Sequence, residues 1–314
     1  MGYFLLRRTV GFLATLLTIS IVVFAVMNVL PGDPALTILG IEASEEALAA
    51  LRTQLGLDEP AILRYFAWIG AALTGDFGLS HSYRVPVSDL VLERLPLTLS
   101  LALGGMIATV VLALAMGVGA AANHRKAGDW GVIFLSQIGI AVPSFWAAML
   151  LVLLFAVHLQ WLPPGGFPGW SDPVAALRAL VLPVAALTFV QAAVLARVTR
   201  SAALEVMRLD YVRTARAMGY PRQRILWRHV LPNALVPIVT IVGLQFASLV
   251  TGTIVIENVF YLPGLGRLVF QAIANRDLPL VQALVTLFAV IVVTVNFLVD
   301  VIYVLIDPRL KARA

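Results

Sequence analysis

Cysteine is absent from the 314 residues, and lysine nearly so, with Lys126 and Lys311 alone. The first absence excludes a disulfide framework, a thiolate metal site and a cysteine nucleophile. Charge is scarce as well: 12% of residues are Asp, Glu, Lys or Arg, against 61% hydrophobic ones. No G-x-x-x-x-G-K-[ST] segment occurs, and neither lysine follows a glycine, so the chain lacks that kind of phosphate-cradling loop. H-E-x-x-H is missing, and His81, His124, His158 and His229 are dispersed, which argues against a metal centre built from them. G-x-S-x-G is missing too, which speaks against an intramembrane serine hydrolase. The net charge of +5 comes mainly from arginine. A basic chain can bind nucleic acid, but these arginines fall between apolar stretches, and no nucleic-acid partner is expected.

What is abundant is uninterrupted apolar sequence. Mean hydropathy is +0.95, more than a soluble domain of this length could cover with a polar shell. Uncharged stretches occupy residues 9–32, 95–123, 130–157, 179–196, 230–256 and 278–299. About 20 residues at 1.5 Å each cross the hydrocarbon core, so the sequence predicts an all-α, polytopic membrane protein with six transmembrane helices. The first stretch is too long for a signal-peptide apolar region, and Pro31-Gly32-Asp33-Pro34 follows it; it reads as a retained anchor. With the N-terminus inside, fifteen of the 22 basic residues fall in cytoplasmic segments. The positive-inside rule then puts both termini in the cytoplasm.

Two connections are longer than turns. The outer one, 31–96, holds most of the acidic residues and reads as short amphipathic helices. Ser44 is a candidate N-cap before Glu45 and Glu46, with Leu48, Leu51 and Leu55 on one face. Asp58 is a candidate cap for a second helix, with Pro60 in its first turn and Ile62, Phe66, Ile69 and Leu73 aligned. Structural cover, on one side, and substrate delivery or partner contact, on the other, are equally open readings for this outer segment. The other long connection, 197–229, is expected to be cytoplasmic and is rich in arginine. Helix signals run from Glu205 to Met218, broken by Gly219-Tyr220-Pro221, and a second short helix covers 222–230. Two helical pieces presenting Ala215 and Ala217 around a hinge suit docking to another protein; a solvated loop that only fixes topology is the alternative.

The spans hold few polar groups. Asn296, Asp300 and Tyr303 share a face at i, i+4 and i+7 near the end of the last span. They read as a structural polar cluster, while a proton-coupled carrier would make Asp300 its working residue. Gln245, Ser248, Thr251 and Thr253 are candidate pathway-lining groups in the fifth span, although Ser and Thr also bond the helix backbone. A membrane body without a visible engine remains, and a scaffold that only recruits a cytoplasmic partner is a further reading.

The segment Tyr211-Val212-Arg213-Thr214-Ala215-Arg216-Ala217-Met218-Gly219, followed by Leu231-Pro232, resembles the cytoplasmic coupling motif of bacterial binding-protein-dependent ABC permeases. Arg213 and Thr214 stand where that motif has glutamate and alanine, as in the dipeptide/oligopeptide/nickel branch. Gly75-Asp76-Phe77-Gly78-Leu79-Ser80, Arg94-Leu95-Pro96-Leu97-Thr98-Leu99, Glu257 to Gly266, Asn275 to Pro279 and Asp307-Pro308-Arg309 are similar to the same branch, in the same order.

The resemblance implies a type I ABC importer permease fold in the bacterial inner membrane, with residues 1–96 as an N-terminal helix plus outer segment and 97–314 as a five-helix core. It implies a second homologous permease, two ATP-binding subunits, a periplasmic or lipid-anchored substrate-binding protein, and surrounding membrane lipid. ATP and Mg would reside on the partner subunits and no cofactor on this chain, which would carry no catalytic residue. Asp210, Tyr211, Arg213, Thr214, Ala215, Arg216, Ala217, Gly219, Leu231 and Pro232 would couple it to an ATPase. The implied cargo is a di- or oligopeptide, with a nickel chelate or glutathione as alternatives.

Overall fold

In the computed structural model the described residues are 2–29, 34–40, 43–54 and 56–306, with backbone alone at 2–5, 29, 34, 37–38, 54, 300 and 302–306. The 31–34 turn, Leu55 and Asp307-Pro308-Arg309 therefore lie outside what is described or carry no described side chains. The elements are α1 (Gly2–Val29), α2 (Pro34–Leu39), α3 (Glu45–Gln54), α4 (Ala61–Leu73), α5 (Val87–Ala122), α6 (Ala127–Ala141) and α7 (Ser144–Leu151). They continue with α8 (Pro173–Val206), α9 (Asp210–Ala217), α10 (Arg222–Ile225), α11 (Leu231–Val259), α12 (Leu265–Ala274) and α13 (Leu278–Ile306). Wider π-helical turns extend α7 over Val152–His158 and join α10 to α11 over Leu226–Val230. No strand occurs among the described residues, only an isolated antiparallel bridge between Leu79 and Pro86.

Among the described residues, five helices are long and apolar enough to cross a bilayer, and six spans result if a broken pair counts as one. That pair revises the third uncharged stretch: α6 and α7 meet at 106° rather than forming one straight rod. The cause is local. Pro143 has no N–H and disfavours helical backbone in the residue before it, and Val142 and Pro143 are both extended (φ −89°, ψ 120° and φ −61°, ψ 143°). The fourth span is longer than its uncharged stretch, because α8 runs 34 residues and carries Arg178, Arg197 and Arg200 within the helix. Asp172 starts it, accepting hydrogen bonds from the Val174 and Ala175 amides at 3.1 and 3.0 Å.

The chain forms two compact units. One comprises 97–263 with residues 1–5 and 295–314, and here α8 packs against α6, α7 and α11. Small residues set the approach. A methyl built on Gly117 would come within 2.5 Å of Thr199 and 2.7 Å of the Ala196 carbonyl. One built on Gly139 would come within 2.5 Å of Ala193 and 3.2 Å of the Phe189 carbonyl. Such contacts are how membrane helices gain packing enthalpy where apolar burial offers none. Between α8 and α11 the fastening is polar: Gln245 donates to the Gln191 carbonyl at 2.9 Å and Gln191 returns a longer bond at 3.4 Å to the Gln245 carbonyl.

The other unit comprises 6–96 and 264–294. Ser44 caps α3 as expected, accepting from the Ala47 amide at 3.3 Å. Asp58 does not cap α4. It accepts the Thr53 hydroxyl at 2.9 Å, and Pro60, in extended backbone, occupies the cap position without a side-chain bond. Asp58 lies two residues too early to reach the α4 amides. The aligned face of α4 is open, with Ile62 and Phe66 exposed, while Tyr65 shares a 2.7 Å hydroxyl bond with Ser20 of α1 and packs edge-on against Phe24.

A buried carboxylate organises the rest of this unit. Asp277, fully buried, accepts the Ser80 hydroxyl at 2.5 Å, the His81 and Ser82 amides at 3.2 and 3.0 Å, and the Leu280 amide at 3.3 Å. One side chain thus starts α13 and holds a loop almost two hundred residues earlier. Around it, Val87, Leu90 and Val91 of α5 pack with Leu268 and Ala272 of α12 and Leu280 and Leu284 of α13. Burial pulls the Asp277 carboxyl upward, but the Ser80 hydroxyl and the three amides outweigh it and hold the group below its ordinary value of 3.8. Burial lowers His81 below its ordinary 6.5, against the opposing attraction of Asp277.

Both shifts act in one direction. A group whose folded pKa is depressed stabilises the fold fully above its unfolded pKa, and this is lost as pH falls through the folded value. Thermal unfolding of the detergent-solubilised chain should therefore show stability declining first below about pH 6.5 and again below about pH 4. His81→Asn should remove the upper step alone; an unchanged profile would disprove the assignment. Separately, Gly139→Leu should destabilise the protein by about 1–3 kcal/mol, since the α8 backbone blocks the added side chain; a melting comparison with Gly131→Leu, where a Cβ meets nothing within 4 Å, checks it.

Candidate functional site

The sequence predicts continuous helix from Glu205 to Met218, but the structure divides it. α8 ends at Val206, and Leu209 is extended (φ −72°, ψ 148°), so α9 starts afresh at Asp210. Only Val212 and Ala215 of α9 are buried. They join Leu195, Ala203, Ile225, Val230 and Ala234 in one apolar cluster. This corrects the reading of the alanines. Ala215 is turned into its own chain and presents nothing outward, whereas Ala217 is exposed. The outward face of α9 consists of Asp210, Tyr211, Arg213, Thr214, Arg216 and Ala217, followed by Met218.

The end of α9 is fixed by backbone stereochemistry. Gly219 has φ +80°, and the amides of Met218 and Tyr220 bond back to the Thr214 and Ala215 carbonyls at 2.9 and 3.3 Å. This is the glycine-terminated helix end in which only a residue tolerant of positive φ turns the chain without strain. Beyond it Tyr220 stacks on His229, with ring centroids 5.9 Å apart, and Arg224 lies over the Tyr220 ring. The Tyr211 hydroxyl reaches the His229 carbonyl at 3.4 Å, and burial raises the Tyr211 phenol above its ordinary value. Asp210 and Arg213 form an exposed i, i+3 pair, worth little to stability in water. Leu231 is half-buried and Pro232 exposed at the start of α11. The segment is therefore a short helix and an elbow, backed by the same chain on one side and open on the other.

The candidate pathway residues separate into two pairs. Gln245 and Thr253 are buried, Gln245 bonded to α8 and Thr253 to the Val250 carbonyl at 2.7 Å. Ser248 and Thr251 are exposed, and with Leu244 and Val255 they form one open stripe along α11 at i, i+4, i+7 and i+11. The spacing of four polar residues does not reveal this division; the Gln191–Gln245 exchange between α8 and α11 decides it. Asn296 is half-buried on α13, whereas the side chains of Asp300 and Tyr303 lie outside the described residues.

One cluster was not foreseen. Asp129, in the first turn of α6 and buried, is ion-paired with Arg200 of α8 and accepts from the Arg125 amide at 2.9 Å, with His124 Nδ1 at 3.1 Å. Arg200 is 71 residues away, so no local pattern could have coupled them. The only sequence signal is a single acid among Arg125, Lys126 and the following apolar run. Among the described residues, no group of three His, Asp or Glu could hold a metal ion.

Comparison with known proteins fits this architecture. Residues 110–312 match the family described as binding-protein-dependent transport system inner membrane component, and residues 1–102 match its N-terminal counterpart. A Brucella abortus protein, named for a peptide transport system as its permease protein, is 42% identical over 308 residues, 98% of each chain. A Salmonella choleraesuis glutathione transport system permease protein is 40% identical over 310 residues, 99% of each. Among solved structures, a chain of the MetNI methionine ABC transporter in an inward-facing conformation superposes with TM-score 0.58 at 21% identity, covering 69% of this chain and 96% of that one; it shares the fold. With two matches that together span most of its length, this chain belongs to the binding-protein-dependent inner membrane permeases of ABC transporters.

Proposed function

We propose that this permease carries di- or oligopeptides inward through the bacterial inner membrane, driven by ATP hydrolysis on separate subunits. The observation that carries the substrate reading is the end-to-end likeness to proteins named for peptide transport. Glutathione, itself a small peptide, is the second reading, favoured by the relative named for it. The chain is half of the membrane body: a homologous permease completes the pathway, two ATP-binding subunits dock beneath, and a binding protein delivers cargo from outside. Both termini lie in the cytoplasm.

The docking element is α9 with its elbow. Tyr211, Arg213, Thr214, Ala217 and Met218 face outward and enter a groove of one ATPase, while Val212 and Ala215 tie the helix to the bundle behind it. Closure of the ATPase dimer displaces α9, and α10 carries the movement into α11. Along α11 the open stripe with Ser248 and Thr251 faces the pathway, whereas Gln245 and Thr253 serve as internal fasteners. The polar cluster of Asn296, Asp300 and Tyr303 is structural.

Expressed with its neighbouring transport genes in a strain lacking peptide permeases, the chain should restore uptake of labelled dipeptide. Gly219→Val should insert normally yet lose uptake by about tenfold or more, because a β-branched residue at φ +80° costs of order 1–3 kcal/mol and misdirects the elbow. Uptake at wild-type level in that variant would reject α9 as the coupling element. The absence of cysteine makes a labelling test accessible. Single substitutions Ser248→Cys and Thr251→Cys in the assembled transporter should react with a membrane-impermeant thiol reagent in a conformation-dependent way, and Thr253→Cys should not. Equal labelling of all three would refute the division of α11.

A further inference from the structure

Beside the elbow the same compact unit holds a cavity of about 550 Å³, within the range of small-molecule sites. Its two halves differ in chemistry. The floor is apolar, made by Ala121 at the end of α5 and by Ile225 and Leu226 where α10 passes into its π-helical turn. The rim carries Lys126, Arg216 and Arg222, with His124 and Tyr220 between them. No carboxylate lines it among the described residues. Asp129, which contacts His124 of the rim, is buried and already paired with Arg200, so it does not neutralise the rim. Three cations gathered without a counter-charge repel one another, and an anion placed among them relieves that repulsion.

The position of the cavity narrows the class of anion. α5 leaves its apolar stretch at Ala122 and α6 begins at Ala127, so the rim sits where the helices emerge from hydrocarbon. Trp130 and Trp227, each more than half exposed, flank it in sequence, as aromatic residues do at headgroup depth. Basic pockets between helices at this level suit anionic headgroups. We propose that this cavity is a binding site for a phosphate-bearing anion, with the cationic rim taking the phosphate and the apolar floor accepting the carbon skeleton of an anionic phospholipid. The site is separate from the outward face of α9 except for Arg216, and it does not depend on which substrate is carried.

Native mass spectrometry of the delipidated full-length protein, with whatever subunits accompany it, tests this. Phosphatidylglycerol should bind in preference to phosphatidylcholine of the same acyl chains. The variant Lys126→Gln, Arg216→Gln, Arg222→Gln should bind phosphatidylglycerol about a hundredfold more weakly, from the contribution of each basic residue near an anionic lipid. A control that removes the same charge elsewhere, Arg84→Gln, Arg94→Gln, Arg276→Gln, should change binding less than about twofold on the same reasoning. Arg216→Lys with Arg222→Lys should keep most of the affinity, which separates lost charge from lost fold. Competition by inorganic phosphate at comparable concentration would identify a soluble phosphate as the occupant, and resistance to it a lipid headgroup; both support the site. Equal binding of the two lipids, or equal loss in the two triple variants, would overturn it.

Discussion

A peptide group inside a hydrocarbon layer must find its hydrogen-bond partner within the protein, because no water is there to supply one. Each described span meets this demand by being helical, and once it is met the helices have little left with which to hold each other. Apolar burial gives no preference for protein over lipid tails. What remains are close approaches at small residues, as at Gly117 and Gly139 against α8, and a few polar exchanges such as Gln191 with Gln245. The approaches at Gly117 and Gly139 and the Gln191–Gln245 exchange all involve α8, which buries residues along its whole length from Ala176 to Val206. Where the chain leaves helical geometry, at Val142–Pro143, the missing proline N–H removes one of the donors that would otherwise go unpaired.

Charges follow the same logic at the membrane boundary. Asp129 and Asp277 are both buried, and each is surrounded by enough donors to remain an anion. Each also links chain segments far apart in sequence, 71 residues in the first case and 197 in the second. They act as single-residue staples between those segments. In a protein without cysteine, these clusters share the long-range linking with side-chain hydrogen bonds such as Thr98 to Glu257 at 2.6 Å and Tyr83 to Gln271 at 3.0 Å.

The sequence was informative wherever structure depends on neighbours in the chain. Apolar runs gave the spans, Ser44 gave the start of α3, and Gly219 gave the end of α9. It misled where tertiary contacts decide. The helix signals of residues 205–218 are continuous, yet Val212 and Ala215 must meet α10 and α11, and the chain breaks at 207–209 to let them. Asp58 had the composition of a cap and the wrong register. For the candidate site, the motif located α9, but which of its faces is open, and which of the four polar groups on α11 are occupied, follow from packing against α8 and α10. A one-dimensional pattern carries no record of those partners.

The join between α10 and α11 has a mechanical consequence. From Arg222 to Val259 the backbone stays helical through the π-turn, which makes a rod of 38 residues and roughly 57 Å. Its softest points are the π-turn at Leu226–Val230 and Pro237 inside α11, where hydrogen bonds are widened or missing. A force applied near Tyr220 therefore arrives at Val255 with its bend confined to the first half of the rod, up to Pro237. The proximal half would absorb mismatch between whatever grips the elbow and the bundle, leaving the distal half to move as a rigid strut.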